Sequence, residues 1–91
     1  MIHIVEFEFD ADNFAHCAAH GVYPADLYDA LESGDWVVIP NKRAMAGSHL
    51  FIGRARSGRI ITAPIRETAH AGIWRPFSAW PAKPSEARHL R

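Results

Sequence analysis

The 91-residue chain has a single cysteine, Cys17. That excludes an internal disulfide framework and a multi-cysteine metal site. Long apolar runs are also missing. The longest, Trp36-Val37-Val38-Ile39, is four residues, against the roughly 20 that a membrane-spanning helix needs. The opening Met1-Ile2-His3-Ile4 has neither a basic flank nor an apolar stretch, so no secretory signal is expected there. No Walker loop, Gly-x-Gly-x-x-Gly or nucleophile-elbow motif is present, which removes the usual signs of a nucleotide cradle or a serine hydrolase. Apolar residues make up 48% of the chain, too many for a disordered segment. The expectation is one soluble, cytoplasmic domain over residues 1–91.

One further absence is local. Residues 1–35 contain no Lys or Arg, but eight acids: Glu6, Glu8, Asp10, Asp12, Asp26, Asp29, Glu32 and Asp35. All ten bases lie in residues 36–91, beside only Glu67 and Glu86. The two parts carry −8 and +8. Such a split predicts an acidic layer and a basic layer on opposite sides of one domain. A basic face suits an anion such as a nucleic acid, or an acidic partner. In the plainer alternative, the two layers simply attract each other.

Residues 2–9 alternate toward their end, with Val5, Phe7 and Phe9 on one side and Glu6 and Glu8 on the other, the pattern of a half-buried strand. Asp10 can cap a helix over 11–19, whose apolar stripe is Phe14, Cys17 and Ala18 and whose end is Gly21. Pro24 fits the first turn of a second helix, 24–33, with Leu27, Tyr28 and Leu31 inward and Gly34 beyond it. From Trp36 the period becomes two. Strands are expected at Trp36–Ile39, His49–Ala55, Arg59–Arg66 and Ile73–Ala79. Lys42 and Arg43 fall in the loop Pro40–Gly47. Trp80–Pro84 reads as a turn, and Ser85–Leu90 as a closing helix with Ser85 as its cap. Pro64 and Pro76 mark an edge, an end or a bulge. The fold class is therefore α+β: an antiparallel sheet with two N-terminal helices on one face and a short C-terminal helix.

The chemistry available is mainly guanidinium, which can grip a phosphate with paired hydrogen bonds. Arg54 shares a strand face with Leu50 and Ile52, and Arg75 shares one with Ile73 and Phe77. That sets these two ahead of Arg56, Arg66 and Arg91 as site residues. Trp74, Trp80 and Phe77 nearby can stack unpaired bases. His16 and His20 stand at i, i+4 and would share a helix face. No clear third ligand accompanies them, so no metal and no other cofactor is expected. Cys17 sits among Phe14 and Ala18, as a core residue rather than a nucleophile.

Phe7-Glu8-Phe9-Asp10, His20-Gly21-Val22, Ile52-Gly53-Arg54 with Gly58-Arg59-Ile60-Ile61, Trp74-Arg75-Pro76-Phe77-Ser78-Ala79 and Glu86 follow in an order that resembles the BrnT-like family. These are ribonuclease toxins of type II toxin–antitoxin systems with a RelE-like fold. The resemblance covers about residues 5–90. It implies metal-independent RNA cleavage through attack of a 2′-hydroxyl on the adjacent phosphate. The partners implied are an RNA substrate and an antitoxin with a DNA-binding domain, in an oligomeric toxin–antitoxin complex.

Carried onto this chain, His20 or Glu86 would transfer protons, and Arg54, Arg59 and Arg75 would bind and stabilise the phosphate. His16, Arg56, Trp80 and Lys83 would contact RNA. The chain departs from the family pattern. His16 stands where an Asn is usual, Ala19 where a Lys is usual, and Trp80 where Ser-Ala-Arg would put an Arg. The Tyr that often follows the Glu is absent, and Asn13 lies in the same divergent stretch. Two rivals accompany this reading: a non-catalytic nucleic-acid- or protein-binding module that kept the fold, and an enzyme acting on a small anion.

Overall fold

The computed structural model describes residues 2–43 and 46–90. It has the α+β architecture, with six strands among the described residues. Strand β1 (Glu6–Phe7) is followed by helices α1 (Ala11–Ala18) and α2 (Pro24–Ser33). Strands β2 (Trp36–Pro40), β3 (His49–Arg54), β4 (Ile60–Glu67), β5 (Ile73–Pro76) and β6 (Trp80–Pro81) come next. The chain ends in α3 (Pro84–Ala87) and a 3-10 turn, Arg88–Leu90. No helix among the described residues is long and apolar enough to cross a membrane.

The sheet order is β1-β5-β4-β3-β2, and β6 pairs with β4. Phe7, Cys17, Leu27, Ala30, Phe51, Ile61, Ala63, Ile65 and Trp74 form the core between the sheet and the two N-terminal helices. Alternate residues of β3 and β4, among them Leu50, Ile52 and Thr62, point to the other face. There Glu86 of α3 meets Thr62.

The caps follow simple chemistry. Asp10 accepts the amides of Asp12 and Asn13 at the start of α1, satisfying donors that the first turn leaves unpaired. Asn13 is buried, a polar residue one turn before Cys17 on the inward face of α1. Its amide donates to the carbonyls of Glu8 (2.9 Å) and Pro76 (2.8 Å), and its oxygen accepts the Asp10 amide at 2.7 Å. Asn13 thereby ties α1 to the ends of β1 and β5, and no polar atom of it is left bare.

Several expectations need correction. The first strand is only Glu6–Phe7, and it runs parallel to β5, so the sheet is not wholly antiparallel. Val5 is 62% exposed; Ile4 and Phe7 fill the core instead. Phe14 is 44% exposed, and its ring packs edge-on against Tyr23. Asn13 and Cys17 form the inward face of α1.

The last long strand stops at Pro76, and Trp80–Pro81, expected as a turn, is strand β6. The closing helix starts at Pro84, with Lys83 and not Ser85 at the cap position. Pro64 lies in the middle of β4, where the neighbouring strand changes from β6 to β5. Its missing N–H faces that changeover, and its carbonyl accepts the Phe77 amide at 2.9 Å.

Candidate functional site

The site is built around Glu86. This residue is only 4% exposed. Pro84 starts α3, which sets Glu86 in its first turn, from where the side chain reaches back to the Lys83 amide at 2.8 Å. The same oxygen, Oε1, accepts the Thr62 hydroxyl at 3.1 Å and the Trp80 indole N–H at 3.1 Å. Oε2 accepts the Arg43 guanidinium at 3.3 Å. Burial alone would push this carboxyl up, but the Lys83 amide, the Trp80 indole, the Thr62 hydroxyl and the Arg43 charge outweigh it. The carboxyl is held below the usual carboxylate range. Glu86 therefore stays ionised with its lone pairs occupied. It orients four donors and is a poor acceptor for a substrate proton.

Over this anchor lies a cleft of about 430 Å³ lined by His20, Arg43, Trp80, Pro81 and Lys83. The volume falls in the range of small-ligand sites. Trp80 is held in plane by its bond to Glu86, with the His20 ring edge-on at 6.5 Å. His20 does not share a helix face with His16, because α1 ends at Ala18. Its backbone lies in the following turn, where its amide donates to the Cys17 carbonyl at 3.0 Å. Gly21 completes that turn at φ 74°, a left-handed conformation that glycine adopts without Cβ strain. The Gly21 carbonyl accepts Arg59 at 3.0 Å, and Arg59 also pairs with Asp26 at 3.7 Å. Arg59 thus braces the turn that presents His20.

Four of the nine predicted site residues, His20, Trp80, Lys83 and Glu86, are brought together. Arg59 stands behind them, and the other four lie elsewhere. Arg54 pairs with Asp35 at 2.9 Å, and Arg56 with Asp29 at 3.2 Å. Arg75 pairs with Asp10 at 3.0 Å and Glu8 at 3.5 Å, and approaches the Phe77 ring. The Arg75 hydrogen bond is the main cause holding the Asp10 carboxyl down, and Asp10 in turn raises Arg75. His16 faces Asp12 at 3.8 Å on the exposed side of α1. Arg91 lies outside the described residues.

The charge split therefore resolves in part into contacts. Arg54, Arg56, Arg59 and Arg75 each take an acid from the first 35 residues. The expected pair of opposed layers becomes an interleaved seam. The positive charge not drawn into it includes Lys42, Arg66, Lys83 and Arg88, which form no ion pair among the described residues. Arg43 joins the cleft although sequence reasoning leaves it in a loop; the basic pair Lys42-Arg43 is its only signal. In the cleft, Arg43 and Lys83 stand against Glu86, a net charge of +1 with His20 neutral.

A second cleft, about 360 Å³, lies toward the far end of β4 and is lined by Ile2, His3, His49, Glu67, Gly72 and Trp74 among others. It has no Lys or Arg and does not suit a phosphate. Among the described residues no group of three or more His, Cys, Asp or Glu is arranged to hold a metal ion. No family model matches the chain, and no curated protein matches it.

Proposed function

We propose that the protein is a cytoplasmic endoribonuclease toxin of the type II toxin–antitoxin kind, working in the cleft of His20, Arg43, Trp80 and Lys83. The observation that carries this reading is the convergence there of an imidazole, an oriented indole and two cations. Imidazole is the side chain best suited to move a proton near neutrality. In the reaction, His20 takes the proton of a ribose 2′-hydroxyl. The 2′-oxygen bonds to phosphorus as the bond to the 5′-oxygen breaks. The leaving 5′-oxygen takes a proton from water, His20 returns its own to the solvent, and a 2′,3′-cyclic phosphate remains. Arg43 and Lys83 face the charge that builds on the phosphate, each such donor contributing about 3–4 kcal/mol of transition-state stabilisation. Trp80 stacks a base beside the scissile bond. Glu86 and Arg59 are positioning residues. A cognate antitoxin with a DNA-binding domain would cover the cleft.

The test is RNA cleavage by purified protein in the presence of a chelator, together with growth on overexpression. Cyclic phosphate ends, lost by about 10²-fold or more in His20→Ala, are expected. A second reading has its own support: a nucleic-acid-binding module without chemistry. It is favoured by the saturation of Glu86, which leaves His20 without a second proton-transfer group of its kind in the cleft. Salt-sensitive RNA binding with no cleavage in any buffer would select it over the enzyme.

A further inference from the structure

Strand β2 is an edge. Among the described residues it pairs only with β3, through Trp36↔Gly53 to Pro40↔His49. Two flanking bonds set its parity: the Arg54 amide donates to the Asp35 carbonyl, and the Asn41 amide to the Ser48 carbonyl. Residues 35, 37, 39 and 41 therefore bond inward, to β3. Trp36, Val38 and Pro40 turn their backbone groups outward. Pro40 has no N–H to offer, which explains how a proline fits this strand without cost to the β2–β3 ladder.

The outward edge is apolar, uncharged and without a bulge, the kind that natural sheets rarely leave unprotected. All four residues Trp36–Ile39 are only half-buried, so each still has surface to lose. The flanks decide the occupant. Glu32 and Asp35 precede the strand and Lys42 follows it; Asp35 also holds Arg54, Arg43 is turned to Glu86, and Lys42 forms no ion pair among the described residues. An acidic start and a basic end around an apolar centre are self-complementary in antiparallel pairing. We propose that β2 binds β2 of a second copy of this chain, antiparallel about a two-fold axis at Val38, to form one continuous sheet.

In that register Val38 of each copy exchanges N–H···O bonds with Val38 of the other. Each Trp36 amide donates to the opposing Pro40 carbonyl. Pro40 ends the ladder because it has no donor to return. Lys42 comes opposite Gly34 of the other copy, beside Asp35, whose side chain is about half exposed. Like charges do not meet in this register, whereas a parallel pairing would set Asp35 against Asp35.

The experiment measures mass by light scattering across a dilution series of the full chain, with amide exchange recorded at both ends. Twice the chain mass is expected at high concentration. The Trp36 and Val38 amides should be protected there and released on dilution, while those of Val37 and Ile39 stay protected throughout. Val38→Pro removes an outward donor that β3 does not use, and should raise the dimer dissociation constant by at least about tenfold. A monomer at every concentration overturns the proposal. So does a dimer whose Trp36 and Val38 amides exchange freely. The exchange data on the natural chain decide the matter even where Val38→Pro fails to fold.

Discussion

Glu86→Ala should be among the most damaging single substitutions in this domain. It orphans Thr62 Oγ, Trp80 Nε1 and the Lys83 amide, and frees Arg43. The costs differ by exposure. Thr62 is fully buried, so its hydroxyl finds no water and loses about 1–3 kcal/mol. Trp80 is half-buried and recovers part of its loss, and Lys83 is exposed and recovers most. With the cavity left by the side chain, the sum is about 3–5 kcal/mol, the range for breaking a buried charged cluster. A domain of this size has roughly 5–15 kcal/mol in all, so the variant should be marginal.

Glu86→Gln separates the charge from the shape. Its carbonyl oxygen can still accept the three donors on the Oε1 side, while its amide faces Arg43 badly. A loss of about 1–2 kcal/mol is expected, since neutral bonds replace charge-assisted ones. The assay is urea unfolding followed by tryptophan fluorescence, with the slope unchanged so that midpoints compare directly. The pH dependence gives a second measure. A carboxyl held down in the folded state stabilises it above the unfolded value of about 4.3, and that contribution fades as pH falls through the folded value. Glu86→Gln should therefore differ from the natural chain near neutrality and approach it in acid. Equal losses for the two variants, or a loss under about 1 kcal/mol for Glu86→Ala, would refute the clamp.

Other outcomes follow from single contacts. Gly53→Ala would bring its new Cβ within 2.9 Å of the Phe51 ring and 3.1 Å of Ala30 Cβ, and should cost about 1–3 kcal/mol in thermal unfolding. Burial pushes the Cys17 thiol up to about 11, so maleimide should label it only in denaturant; rapid native labelling would contradict the buried placement. Arg75→Ala removes a cation from Asp10 and Glu8. It should lower stability by no more than about 1 kcal/mol and leave RNA cleavage nearly unchanged, a result to be read from initial rates beside those of Lys83→Ala.

The helices were legible because their signals are local. Asp10 before α1, Pro24 at the start of α2 and Gly34 after it each act within a turn or two. The strands β2, β3 and β4 were legible from alternation. What stayed hidden depends on distant partners. A two-residue strand such as Trp80–Pro81 has no period to read, and only the exposed edge of β4 makes it a strand. Asn13 looks like a surface residue until the Glu8 and Pro76 carbonyls converge on it.

The charge split was plain in the sequence, but a count of charges does not reveal who pairs with whom. Arg54 shares a strand face with Leu50 and Ile52, a parity the register bears out. Its guanidinium nevertheless turns to Asp35 at the end of the strand. Arg43 and Glu86 meet across half the chain, and nothing in their neighbours announces it.

The parallel pairing of β1 with β5 sets Glu6 beside Ile73 and Phe7 beside Trp74. For a ribosome making this chain, β1 emerges well before its partner, with both helices and three strands between them. Until then Phe7, whose ring belongs between Tyr28 and Phe51, has no strand beside it. Contacts so distant in sequence form slowly, and the nascent chain meanwhile exposes surface that chaperones and proteases recognise. Chains that terminate early, before β5, keep that surface exposed for good. The closure of the sheet thereby works as a check on synthesis: only a chain translated through β5 can give β1 its partner.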